Sequence, residues 1–287
     1  MKGPPGPPIA GTPAATEPRD PPKGMTVSRQ GDFTIQSGNA TKAPLRVVIY
    51  GPGGVGKTKL VANASQAGLT PLILDIEGGV EDLEVDLIPK TQLPDFDSVL
   101  EAIASPICRD HDFLVIDSAT ALERLAIDDV LAKVPMGKDG GGKSQGIEGY
   151  GWGKGYRFLA DRYDALLQAL EVHHWNQGRG VGLICHEIKA NVPNPAGEDF
   201  IRYELALFEN RQVSIRQRVK NWASHVFFLN FDAAVTDNKA QGSGTRSIYT
   251  TELPHFWAKT RNSALASKRR LPYRDGDAEL WKILVAG

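Results

Sequence analysis

Leu45-Arg46-Val47-Val48-Ile49-Tyr50-Gly51-Pro52-Gly53-Gly54-Val55-Gly56-Lys57-Thr58-Lys59-Leu60 is the stretch on which the reading of this chain turns. Its first six residues are mostly apolar and half of them β-branched, which predicts a buried strand. The strand runs into a loop spaced G-x-x-x-x-G-K-T, and Leu60-Val61-Ala62 continues as a helix. Glycines at such spacing let the backbone wrap round phosphate oxygens and turn successive N–H groups inward. The helix that follows adds its N-terminal dipole, the lysine reaches the β- and γ-phosphates, and the hydroxyl beside it ligates Mg²⁺. Gly51, Pro52, Gly53, Gly54, Val55, Gly56, Lys57, Thr58 and Lys59 are therefore the expected nucleotide-binding residues, with Thr58 on the metal.

Two acidic strand ends complete such a site. Phe113-Leu114-Val115-Ile116-Asp117 is an apolar strand ending in a carboxylate. At the carboxyl end of a parallel strand, Asp117 would face the phosphate crevice and hold Mg²⁺ with Thr58. Leu72-Ile73-Leu74-Asp75-Ile76-Glu77 is a second such end. Hydrolysis needs a group that orients or deprotonates water, and Glu77 is the candidate; Asp75, still inside the strand, reads as structural.

Further outward, short apolar strands alternate with helical segments, the pattern of a mostly parallel α/β sheet. Strands are expected at 45–50, 72–76, 113–117 and 181–185, and helices at 57–67, 96–104, 119–133 and 156–175. Beyond residue 205 a basic helical segment with Arg211, Arg216, Arg218 and Lys220 precedes His225–Ala234. A turn is expected at 241–245, then strands at 247–252 and 256–259, the group reading as antiparallel strands on one sheet edge. Residues 1–30 are rich in Pro and Gly and read as a disordered tail, 31–265 as the core, and 266–287 as a basic extension carrying Lys268, Arg269 and Arg270. Of 287 residues 41% are apolar, and the formal net charge is −1, so a nucleic-acid surface would have to be a local patch. The two cysteines, Cys108 and Cys185, lack metal-ligand spacing and read as reduced thiols. No apolar run reaches the length of a membrane span and no signal-peptide core opens the chain, which predicts a cytoplasmic protein with no membrane partner.

The three elements, in this order, resemble the RecA superfamily. Asp75-Ile76-Glu77 is similar to the strand end whose glutamate activates water, and Phe113–Leu122 to the metal-binding strand, including the serine after the aspartate. Val181–Lys189 resembles the strand that carries a γ-phosphate-sensing polar residue, where RecA has Asn-Gln and this chain has His186-Glu187; His186 is the favoured sensor. Phe256-Trp257-Ala258-Lys259-Thr260-Arg261-Asn262 resembles a segment of DnaB-like hexameric helicases. There the lysine and arginine reach a neighbour's γ-phosphate, a role that falls on Lys259 and Arg261. Size and Gly151-Trp152-Gly153-Lys154-Gly155 resemble the phage-encoded Sak-type ATPases of single-strand annealing and recombination. The resemblance implies ATP, Mg²⁺, single-stranded DNA, a homo-oligomeric ring or filament, and a single-strand-binding protein as a further partner. If phage-encoded, the protein would act in the bacterial host cytoplasm.

Two stretches, 136–156 and 189–203, correspond to the DNA-contacting loops of that superfamily. Both mix cations with aromatics, which neutralise phosphates and stack on bases. Lys154, Lys189, Phe200 and Arg202 are the expected DNA contacts. A DnaB-like helicase or helicase loader would share this core, and a small-molecule kinase or a non-hydrolysing nucleotide switch would share the phosphate loop.

Overall fold

The computed structural model describes residues 43–135, 146–236 and 239–287, and of 233–243 the backbone alone. The expected tail over 1–30, and Lys138 and Lys143 of the first loop, lie outside the described residues. The elements run β1 (Arg46–Tyr50), α1 (Lys57–Ala62), β2 (Pro71–Asp75), β3 (Asp86–Ile88), α2 (Phe96–Ala104), β4 (Phe113–Asp117), α3 (Ala119–Lys133) and α4 (Lys154–Glu171). They continue with β5 (Gly180–Cys185), β6 (Glu187–Val192), β7 (Phe200–Leu205), α5 (Ile215–Trp222), β8 (His225–Thr236), β9 (Lys239–Tyr249), α6 (Ser263–Lys268), β10 (Arg270–Tyr273) and α7 (Glu279–Ala286).

Eight strands form one sheet in the order β10-β9-β8-β1-β5-β4-β2-β3. β1 pairs in parallel with β5 and β8, and β4 in parallel with β5 and β2. This is the expected mostly parallel α/β architecture, with antiparallel strands added toward the C-terminus. Side chains of β1 alternate between two cores, as a strand covered on both faces requires. Val48 and Tyr50 join the core that includes residues of α2, α3, α4 and α5, while Val47 and Ile49 join the one that includes residues of α1 and α7. The termini of the helices are set locally. Asp95 and Ser98 form a reciprocal capping box at α2, and the Ser118 hydroxyl accepts from the Ala121 N–H at α3.

Several expectations are corrected. The strand from His225 stands parallel to β1, because α5 returns the chain to the far side of the sheet; antiparallel pairing begins only with β9. The turn expected at 241–245 lies within β9, whose Gly242 pairs with Ala233 across the β8–β9 ribbon. Residues 256–259 form isolated bridges rather than a strand, among them Val226 with Lys259. The stretch 189–203, read as a loop, is mostly the β6–β7 antiparallel ribbon. Residues 266–287 are no appended extension. β10 pairs with β9, and α7 buries Trp281, whose indole N–H donates to the Leu60 carbonyl of α1 at 2.5 Å. Apolar residues Leu280, Trp281 and Leu284 at helical spacing dictate that burial, outweighing the basic cluster before them. Among the described residues no helix is long and apolar enough to cross a membrane.

Candidate nucleotide site

The carboxyl ends of β1, β2 and β4 open on one cavity of about 360 Å³. Its floor is the loop between β1 and α1. Gly51 is required there by close approach, since a Cβ would overlap the Leu229 carbonyl oxygen of β8. Gly56 adopts φ 96°, in the left-handed region, and caps the start of α1.

Lys57 is buried, and its Nζ donates to the carbonyls of Gly51 and Pro52, each at 2.9 Å. Burial pushes its pKa below the ordinary lysine value, while Asp117 opposes that shift. An ammonium held at the mouth of the loop by neutral carbonyls is ready to exchange them for phosphate oxygens. Thr58 Oγ1 donates to Asp117 Oδ2 at 2.6 Å. Burial drives the Asp117 pKa up to about 6, against the lowering effect of the Thr58 hydrogen bond. A buried carboxylate and a hydroxyl side by side at the end of a phosphate loop are hard oxygen donors that fit Mg²⁺, which would relieve the buried charge.

Glu77 lies just past β2. Its Oε1 accepts from the Ser118 hydroxyl and lies 2.9 Å from His186 Nε2. The histidine hydrogen bond is the largest influence holding its pKa down at about 2, with Ser118 and Lys57 assisting and burial opposing. Glu77 is therefore a carboxylate throughout the physiological range. The backbone of His186 is braced from behind, its amide N–H donating to Thr120 Oγ1 at 3.1 Å. Asp75 also lines the cavity, but its carboxylate is engaged by the loop, accepting from the N–H groups of Gly78 and Gly79 at 2.8 and 3.2 Å, and so shapes the segment that carries Glu77.

One wall of the cavity had no sequence signal. Arg246 of β9 lies over the Tyr273 ring at 4.8 Å, donates to the Val55 carbonyl at 3.0 Å and pairs with Asp275 at 2.7 Å. Tyr273 donates to the Gly56 carbonyl at 3.3 Å. No motif spacing marks these residues, because only the β8–β9–β10 pairing carries them beside the loop.

The remaining expected residues lie elsewhere. Lys259 donates its Nζ to the Lys220 carbonyl at 2.5 Å and stands 5.7 Å from the Trp257 ring. It bridges Val226, near the start of β8, whereas the phosphate loop follows the far end of parallel β1; Arg261 is exposed close by. Neither cation lines the cavity. Lys154 is exposed at the first turn of α4. Lys189 is exposed on β6, 6.0 Å from the Tyr203 ring, and Phe200 is half-buried on β7. Arg202, expected on DNA, is instead engaged internally by Glu204 at 2.6 Å and Glu252 at 2.8 Å, and its side chain is only 15% exposed. Two carboxylates already neutralise its guanidinium, which weakens the case for a phosphate contact there.

A mostly parallel α/β sheet whose strand ends gather a glycine loop, a buried lysine and two carboxylates is the arrangement of a P-loop ATPase. The chain belongs to the AAA domain family, whose model matches residues 43–262. Tyr273 and Asp275 lie past the matched residues. No curated protein matches the chain. Among solved structures, the RadB recombinase is similar at a TM-score of 0.42 and 15% identity, over 72% of this chain and 80% of that one.

Proposed function

We propose that the protein is a RecA-type, Mg²⁺-dependent ATPase that binds single-stranded DNA and acts, as a homo-oligomer, in recombination or annealing. Bound Mg²⁺ would neutralise charge developing on the β- and γ-phosphates, with Thr58 and Asp117 as its protein donors. Lys57 holds the same phosphates, and Glu77 orients the attacking water and accepts its proton. His186 senses the γ-phosphate through the contact it now makes with Glu77.

The observation that carries this reading is the continuity of His186 with the β6–β7 ribbon. The residue that holds Glu77 is followed directly by a strand whose Ile188 is 45% exposed and whose partner strand leaves Ile201 67% exposed. Lys189 is exposed on the same ribbon. An exposed, mixed apolar and basic ribbon fits sequence-tolerant contact with a strand, and a shift of it is transmitted to the catalytic carboxylate by one peptide unit. Trp152, 92% exposed beside Lys154, offers a second stacking surface. Lys259 and Arg261, outside their own cavity, serve as cations supplied to a neighbour's γ-phosphate. ATP turnover with and without single-stranded DNA, measured alongside particle mass, tests this. Stimulation with assembly supports it; equal turnover by an unassembled protein sinks the DNA-coupled reading.

A further inference from the structure

A second cavity, of about 400 Å³, lies behind the catalytic carboxylate. Glu77 and His186 line both cavities, so their 2.9 Å contact is shared between the two. On the far side stand Lys90, from the segment after β3, and Arg124, from the second turn of α3, above the apolar side chains of Ile76 and Leu125. Both cations are exposed, and among the described residues neither is in an ion pair. Lys90 makes only a long contact, 3.4 Å, to the Glu77 carbonyl. Their situation differs from that of Arg202, Arg216, Arg218 and Lys220, each of which is paired with a carboxylate. Two unpaired cations over an apolar floor, with a histidine at the back, make a receptor for a compact oxyanion.

We propose that this second cavity is a phosphate site, in which Lys90 and Arg124 bind a phosphate group that draws His186 away from Glu77. The exchange is physically simple. Oε1 of Glu77 now receives both His186 and Ser118, so its lone pairs are engaged by protein. An anion in the second cavity competes for the same imidazole N–H, and the freed carboxylate turns to water in the first. Two sources supply such a group: a backbone phosphodiester of a bound strand, or the inorganic phosphate leaving after hydrolysis. The effect on turnover rests on the role proposed for Glu77; binding itself does not.

The test uses the full chain, a labelled oligothymidine and inorganic phosphate as separate probes, and the variants Lys90→Gln/Arg124→Gln and Lys90→Arg/Arg124→Lys. The neutral double variant loses about tenfold or more in affinity for one probe, and the charge-retaining variant recovers it. Loss for the oligonucleotide, with a salt dependence reduced by about 1.4 for two lost contacts, assigns the site to backbone phosphate. Loss for inorganic phosphate alone assigns it to the departing product. Unchanged affinity for both probes at low salt overturns the site. ATP turnover is followed in parallel, with each probe added. The probe whose binding is lost raises turnover in the wild type but not in the neutral variant, whose basal turnover is unaltered. Equal stimulation in both overturns the link to Glu77. A wild type without any turnover refutes the ATPase reading while the affinities still judge the site.

Discussion

Replacing Glu77 by glutamine separates what this residue does for catalysis from what it does for folding. The amide keeps the shape and one accepting oxygen for Ser118 and His186, but cannot take a proton from water. General-base assistance is worth about a hundred- to ten-thousandfold, or about 3–5 kcal/mol of barrier. The folding term has the opposite pH logic from a raised acid. Glu77 is held at about 2 against an ordinary 4.5, so its ionised form is stabilised in the folded state. That stabilisation is fully present above pH 4.5 and is lost as pH falls toward 2. The shift alone would convert to about 3 kcal/mol, but the side chain is 34% exposed, and solvent screening reduces this to about 1 kcal/mol. Glu77→Gln should therefore bind Mg-ATP within about threefold of wild type, since neither Lys57 nor Thr58 is touched. Its single-turnover hydrolysis should fall by at least about a hundredfold. Its stability deficit at pH 7 should be about 1 kcal/mol and shrink toward zero as the pH drops below 4. Single-turnover rates, equilibrium nucleotide binding and urea unfolding across pH read the three quantities. Turnover within about threefold of wild type would remove Glu77 from the water-orienting role.

Lys57→Ala should lose nucleotide affinity on the order of a hundredfold, because a buried charge-assisted donor disappears from the loop mouth; near-normal binding by calorimetry refutes its phosphate role. Glu123 accepts the Phe208 N–H at 2.8 and 3.0 Å, yet burial raises its pKa to about 7. Between pH 4.5 and 7 the native state thus holds a proton that the unfolded chain has released, so stability falls as pH rises, by at most about 3 kcal/mol. Glu123→Gln removes that slope, and its gain over wild type should be larger at pH 8 than at pH 5 in denaturant titrations; an equal difference at both refutes the buried titration. Trp281→Ala should destabilise by about 3–5 kcal/mol, since the ring is fully buried and its N–H bonds Leu60. A change under about 1 kcal/mol would mean that α7 is dispensable to the fold.

What could be read in the sequence followed from local constraint. β1, β2, β4 and β5 sit in the middle of the sheet with both faces covered, so they are nearly continuous apolar runs that announce themselves. The phosphate loop needs glycines at fixed spacing, and the acids at the ends of β2 and β4 are read from where the apolar runs stop. The ribbon from Glu187 to Leu205 was hidden because it is solvated on much of its surface, and its mixed residues resemble a loop. β3 is only three residues long, and β10 contains Pro272, an edge-strand residue type that weakens any strand pattern. Arg246, Tyr273 and Asp275 were illegible for a different reason. They meet the phosphate loop across 191 and 217 positions of chain, from Val55 to Arg246 and from Gly56 to Tyr273, and nothing in local spacing encodes such a meeting. The partners of Arg202 were hidden too, because a cation in a mixed segment looks free until Glu204 and Glu252 are seen in space.

The arrangement also explains why His186 and Glu77 can be a coupling point. β5 lies between β1 and β4, so the chain leaving β5 emerges between the loop that grips phosphate and the strand that carries Asp117. His186 is the first residue after β5, and a side chain there reaches the carboxylate at the end of β2 without any long lever. The next residue begins the exposed ribbon. On the proposed function, a force on the exposed part of that ribbon, from a strand of nucleic acid or a neighbouring subunit, would act on the hydrogen bond between His186 and Glu77. The core resists because Ile116, Leu183 and Val48 are fully buried on adjacent strands, while the His186 backbone is held by Thr120 and Ala206 and its imidazole bonds Glu77. Displacing the imidazole then requires breaking one charge-assisted hydrogen bond, about 1.5–3 kcal/mol, which lies within what phosphate contacts supply.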